Sequence, residues 1–150
     1  MKKFKLDKPR EECGVFGVSN HEDASALVAL GLHALQHRGQ EGCGISTYDG
    51  KTFHLEKRQG LVGDHFTNPD IIKKLPGRSA IGHNRYSTTG ETSLRNIQPF
   101  FADLYASGVS LAHNGNLTNA MSLRNSLVKD GAIFRTTSDT ETIVQLIAKS

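Results

Sequence analysis

The chain has 150 residues, 37% hydrophobic and 22% charged, with a formal net charge of +3. That is one domain's worth of ordinary globular composition, with enough chain to bury a core. No apolar run approaches the roughly 18–20 residues that span a bilayer. The apolar stretch of a secretory signal is also missing, since Phe4 and Leu6 stand alone among charges. Five of the basic residues and three of the acidic ones fall in Met1–Glu12, so the remainder is close to neutral. No basic stripe interleaved with aromatics is present, and nucleic acid is not an expected partner. A cytoplasmic protein without membrane attachment is the expectation.

Taken in order, residues 1–12 lack periodicity, contain Pro9 and read as a tail. "CGVFGVS" predicts a short buried strand. Ala24, Leu27, Val28, Gly31, Leu32 and Leu35 recur at helical spacing with Gly39 beyond them, which predicts a helix over 22–38. "GISTYDGKTFHLEK" predicts two strands joined by a two-residue hairpin turn at Asp49-Gly50. A loop with one helical turn follows over 67–78. "RSAIGHNRYST" predicts a strand running into a polar turn, and "SGVSLAHNGNL" repeats that pattern after a loop over 90–99.

The spacing next predicts a helix over 119–129 with Met121, Leu127 and Val128 inward, then a strand at "AIFRTT". "SDTE" reads as a capping box, Ser138 with Glu141, opening a helix whose apolar face is Ile143, Val144, Leu146 and Ile147. That helix meets Ser150 without a stop signal, so a longer protein is expected. Strands dominate the first part and helices interrupt hairpins, which predicts an α+β layered domain with mostly antiparallel sheets.

Three strand ends carry small and polar clusters: "GHNRYSTTG", "AHNGN" and "TTSDTE". Each has an ordinary reading as a turn, a cap or a surface charge. Together with Cys13 they supply complementary chemistry. A cysteine nucleophile needs a base, an oxyanion site and a grip on its substrate. Asn114 offers an amide donor, and the Gly115 N–H is approachable because no Cβ intervenes. Arg85 can grip a carboxylate bidentately, and Asp139 can accept from an ammonium group. Such a pair suits the two charged ends of an α-amino acid.

The base is less obvious. His83 and His113 both lie in these strand ends, but packed structural histidines are the expectation there. If residues 1–12 were removed, Cys13 would carry an α-amine of pKa about 7.7–8.0, suited to a general base. Cys43, flanked by glycines, is expected to be a small buried residue. Neither cysteine belongs to a C-x-x-C pair, which argues against a zinc ribbon or redox dithiol.

"ECGVFGV", "LQHRGQEG", "GHNRYSTTG", "AHNGNL" and "SDTE", in this order, resemble the glutaminase domain of class II glutamine amidotransferases. The wording of "LQHRGQE" and "GHNRYST" is most similar to the branch that opens purine synthesis. The alternative is another class II amidotransferase. The resemblance covers residues 12–150 and implies the N-terminal nucleophile hydrolase sandwich, a four-layer αββα arrangement of antiparallel sheets.

For the site, the resemblance implies Cys13 as nucleophile after cleavage of the Glu12–Cys13 bond, with residues 1–12 a pro-segment and 13–150 the glutaminase domain. Asn114 and Gly115 would form the oxyanion hole. Arg85 would bind the glutamine α-carboxylate and Asp139 its ammonium, with Thr88 and the Tyr86 backbone shaping the pocket and Arg38 supporting it. No cofactor or metal is expected in this segment. Magnesium, phosphoribosyl pyrophosphate and, in several members, a 4Fe–4S cluster belong to a phosphoribosyltransferase half outside these residues, and the full-length protein is expected to be a homo-oligomer.

Two other readings remain. His33 and His37, at i and i+4 on one predicted helix, have metal-compatible spacing but lack a third ligand. A non-catalytic glutamine sensor would use the same pocket and tolerate loss of Cys13.

Overall fold

A computed structural model describes residues 13–86, 93–105 and 107–150. Strand β1 (Gly14–Val18) leads into helix α1 (Ala24–Ala34) and a 3-10 turn at Gln36–Arg38. Strands β2 (Gly42–Tyr48) and β3 (Phe53–Gln59) follow, then two single-turn helices, α2 (Val62–His65) and α3 (Pro69–Ile72). Next come β4 (Ser79–Arg85), a 3-10 turn at Leu94–Asn96, and the pair β5 (Phe100–Asp103) and β6 (Gly108–Leu111). Helices α4 (Ala120–Lys129) and α5 (Asp139–Lys149) close the chain.

Strands β1, β4, β2 and β3 form one sheet in that order, antiparallel throughout, and β5 pairs with β6 in a second antiparallel sheet. Alternation along each strand gives the first sheet two different faces. One face, carrying Cys43, Ile45 and Ala80, packs on Val28 and Leu32 of α1 in a dry core. Close contact needs glycine on both partners: a Cβ on Gly31 would meet the Phe16 ring at 2.4 Å, and one on Gly82 would meet Leu32 and Val28 at 2.6 Å. The other face meets the second sheet, where Phe53 stacks on Phe101 at 5.2 Å between ring centroids. Helix α5 packs on that second sheet, and α4 packs on α5. The layers run α1, sheet, sheet, α5, as expected for an α+β sandwich. Among the described residues, no helix is long and apolar enough to cross a membrane.

Several local expectations need correction. The first helix stops at Ala34 because Gln36 turns inward, its Nε2 donating to Gly39 O and its Oε1 accepting from Val62 N at 2.7 Å. The β2–β3 connection is a four-residue loop, since Tyr48 pairs with Phe53. Asp49 Oδ1 accepts from the N–H groups of Lys51 and Thr52, a side-chain turn that replaces the two-residue one. "AIFRTT" forms no strand. Its backbone is held by α5 side chains instead: the Glu141 carboxylate accepts from Arg135 N and Thr136 N, and Gln145 Nε2 donates to Ile133 O.

Glu141 is therefore unavailable to complete a capping box, although Ser138 does cap α5 by accepting from Thr140 N. On α4 only Leu127 is buried, while Met121 and Val128 are 70% and 52% exposed. The helix has α5 as its main neighbour, so most of its surface faces outward. On α5, Val144 is buried beside Thr140 and Thr142, and Leu146 and Ile147 are exposed.

Candidate active site

Cys13 sits one residue before β1, at the end of the sheet where β4 finishes in Arg85 and Tyr86. Its φ of 61° lies in the left-handed region, which is uncommon for a residue with a side chain. Sγ accepts from the Tyr86 N–H at 3.4 Å and faces Tyr86 O at 3.6 Å. The Cys13 carbonyl accepts from Arg38 Nε at 2.8 Å and from Asn114 Nδ2 at 3.3 Å. Two side chains and one backbone segment, from three separate motifs, thus converge on one residue.

The Arg38 turn reaches the site because Gly39 lies against the β4 end; a Cβ there would stand 2.8 Å from the Arg85 carbonyl carbon. Asn114 and Gly115 follow β6, and Gly115 has φ of 151°. Its Cα packs on the preceding histidine, with His113 Nε2 3.1 Å from where a Cβ would stand. The other ring nitrogen, Nδ1, lies 3.4 Å from Thr140 Oγ1 and 4.0 Å from Asp139 Oδ1. Asp139 is the first residue of α5, and its Oδ2 accepts from Leu117 N at 2.7 Å. The Asn114–Gly115 loop is therefore tied to the α5 N-terminus on both sides.

Arg85 donates from Nη1 to Asn96 O at 3.0 Å, and its buried Nε has no hydrogen-bond partner among the described residues. Part of its guanidinium is thus held by the chain while another donor remains unspent. Thr88 lies outside the described residues. The remaining expected site residues, Cys13, Arg38, Arg85, Tyr86, Asn114, Gly115 and Asp139, lie at one end of the sandwich.

Neither histidine is placed as an obvious base. His113 engages Thr140 and Asp139. His83 is fully buried, and burial, reinforced by the charge of Arg85 and only partly offset by the His113 backbone, lowers its pKa to about 4. His83 is thus packed, as expected. Cys43 is fully buried, and desolvation pushes its thiol up to about 12. The metal reading loses its premise, because α1 ends before His37 and the two histidines do not share one helix.

Sequence reasoning missed Asn96, Gln98 and Thr137. Asn96 joins Arg85 to Thr137, with Nδ2 donating to Thr137 Oγ1 at 3.2 Å and Oδ1 accepting from Thr137 N at 3.3 Å. Gln98 Oε1 accepts from His113 N at 2.6 Å. The signal was present in "NIQPF", where two amide side chains flank an isoleucine just ahead of a strand.

The family pattern described as "Glutamine amidotransferase domain" matches residues 71–150. The chain belongs to this glutamine amidotransferase domain family. It is 58% identical over 144 residues to an amidophosphoribosyltransferase of Rhizobium etli, across 96% of this chain and 29% of that protein. An amidophosphoribosyltransferase of Lacticaseibacillus casei is 52% identical over 141 residues, covering 93% of this chain and 72% of the relative. Among solved structures, a glutamine phosphoribosylpyrophosphate amidotransferase from B. subtilis superposes with a TM-score of 0.83 at 44% identity, over 91% of this chain and 29% of that one. The structure of an allosteric regulatory enzyme of purine biosynthesis gives 0.85 at 45% identity, over the same shares. The layered architecture is the N-terminal nucleophile hydrolase fold. The chain spans about 29% of the Rhizobium relative and 30% of one from Vigna aconitifolia.

Proposed function

We propose that this chain is the glutaminase part of an amidophosphoribosyltransferase, releasing ammonia from glutamine for phosphoribosylamine synthesis at the start of purine biosynthesis. The observation that carries the reading is the convergence on Cys13: Tyr86 N at its sulfur, with Arg38 and Asn114 at its carbonyl.

In this reading residues 1–12 are removed and Cys13 becomes the first residue. The left-handed φ at Cys13 stores strain next to the bond to be cleaved. The new α-amine takes the thiol proton, and the thiolate attacks the side-chain amide carbon of glutamine. Asn114 Nδ2 turns from the Cys13 carbonyl to the developing oxyanion, joined by the Gly115 N–H. As the C–N bond breaks, the amine returns its proton to the departing nitrogen, which leaves as ammonia. A glutamyl thioester remains on Cys13; water hydrolyses it to glutamate and restores the thiol. The Arg85 guanidinium grips the substrate α-carboxylate, and the Asp139 carboxylate its ammonium. The Tyr86 backbone borders the same thiol.

Transfer of ammonia to phosphoribosyl pyrophosphate belongs to a second half of the protein. Magnesium and any iron–sulfur cluster belong there too. Among the described residues no group of three His, Cys, Asp or Glu side chains converges, and no step is routed through a metal. A nucleophilic thiol that must stay reduced suits the cytoplasm. An electrophilic glutamine analogue tests the pocket: it should add once, on Cys13, as read by peptide mass. Addition at Cys43, or protection of Cys13 by glutamate analogues lacking an α-carboxylate, would contradict it.

A further inference from the structure

We infer that Gln98 is a positioning residue for the oxyanion loop, and that the segment Asn96–Pro99 is the strut that keeps the parts of the glutamine pocket in register. The inference deepens the proposed function and rests on it.

The strut has a seat built into the first sheet. On the face turned toward the second sheet, Gly42 stands between Gln59 and Arg85, and Gly44 between Lys57 and His83. Two neighbouring rows therefore lack their middle side chain, leaving a trough along β2. The segment lies in that trough. A Cβ on Gly44 would fall 2.2 Å from Gln98 O, and one on Gly42 would fall 2.5 Å from Ile97 Cδ1. Ile97 and Pro99 are fully buried, and Gln98 is 5% exposed.

From this seat the segment reaches each part of the pocket. Asn96 O accepts from Arg85, the residue for the α-carboxylate. The Asn96 side chain pairs with Thr137, two residues before Asp139. Gln98 Oε1 accepts from His113 N, adjacent to Asn114. The His113 ring is anchored on α5 through Thr140, and Leu117 N on Asp139, so the backbone bond of His113 to Gln98 is the loop's third fixed point and the one that comes from the strut. Oxyanion donors act only when they stand about 2.7–3.1 Å from where the charge develops. Removing the Gln98 acceptor leaves the His113 N–H unpaired and frees the loop to shift, which is felt in the transition state more than in substrate binding.

The test compares Gln98→Met, which fills similar volume without the acceptor, with Gln98→Glu, which restores an acceptor at the same reach. Both are made in the full-length protein beginning at Cys13. For Gln98→Met, kcat for glutamine hydrolysis should fall roughly 10–100-fold while KM changes less than about threefold, because Arg85 and Asp139 still hold the ground state. Gln98→Glu should recover most of that loss. Amide exchange over residues 111–117 should quicken about tenfold in Gln98→Met while β1 stays as protected as before. If β1 also loses protection the variant has unfolded, and Gln98→Leu carries the same expectation in its place. A kcat within about twofold of wild type, a raised KM with kcat preserved, or equal losses in the Glu and Met variants would each overturn the inference. If the wild-type protein hydrolyses no glutamine, the proposed function falls, and unchanged exchange over 111–117 would overturn the positioning role by itself.

Discussion

The two faces of the four-stranded sheet are built from the same strands on opposite principles. Toward α1 the face is closed and mostly apolar, with Val28, Leu32, Cys43 and Ile45 fully buried and Asn84 donating from Nδ2 to Leu32 O. Toward the second sheet the same strands present Gly42, Gly44, Lys57, His83 and Arg85. Here burial works against charge: desolvation lowers the Lys57 pKa to about 8 and that of His83 to about 4. The first face supplies stability, and the second gives some of it up to seat the segment Asn96–Pro99 and the proposed carboxylate-binding Arg85. Stability and the proposed function thus divide along the period-two alternation of single strands.

The largest effect should come from Cys13→Ala, which should reduce glutamine hydrolysis by about 10⁴-fold or more, as loss of a covalent nucleophile does. Thermal stability should be nearly unchanged, because the side chain is outside the α1 core. A merely sensing domain would keep its output. Next is the inner face's titration. His83 binds its proton less readily folded than unfolded, so the unfolded chain takes up more protons between about pH 6.5 and 4 and stability falls as pH drops through that window. The total is roughly 3 kcal/mol, and His83→Leu should remove this pH dependence. Denaturant midpoints at pH 7 and 4.5 would read it.

Smaller effects separate the two faces. Gly44→Ala on the inner side places a methyl group against Gln98 O and should lower glutamine turnover about tenfold by displacing the strut. Ile45→Val, one residue along and facing α1, should cost about 1 kcal/mol of stability and leave turnover intact. Equal effects of the two on turnover would dissolve the distinction. Thiol reagents sharpen it further: Cys13 should react in the folded protein, whereas Cys43, with its thiol pushed up to about 12, should react only on unfolding.

Strands β1, β2, β4 and β6 were legible in the sequence because each is a short apolar run ending in a polar cluster. The expected site residues stand in those same polar clusters, and the resemblance implies their roles. Three of the failures share one cause. At "AIFRTT" the pattern is strand-like, but Glu141 and Gln145 satisfy the backbone that a ladder would have paired. At Gln36 a side chain ends the helix that periodicity would have continued. At Gln98 a buried amide reaches a backbone N–H fifteen residues away. Each is a long side chain bonding to a distant main chain, which no local period encodes.

The central claim is that Cys13 acts as an N-terminal residue. Intact mass and glutamine hydrolysis, measured on the same preparation over time, test it most directly. Hydrolysis should rise in step with the species lacking residues 1–12 and beginning at Cys13. Steady turnover of glutamine by protein that still carries Met1 would contradict it.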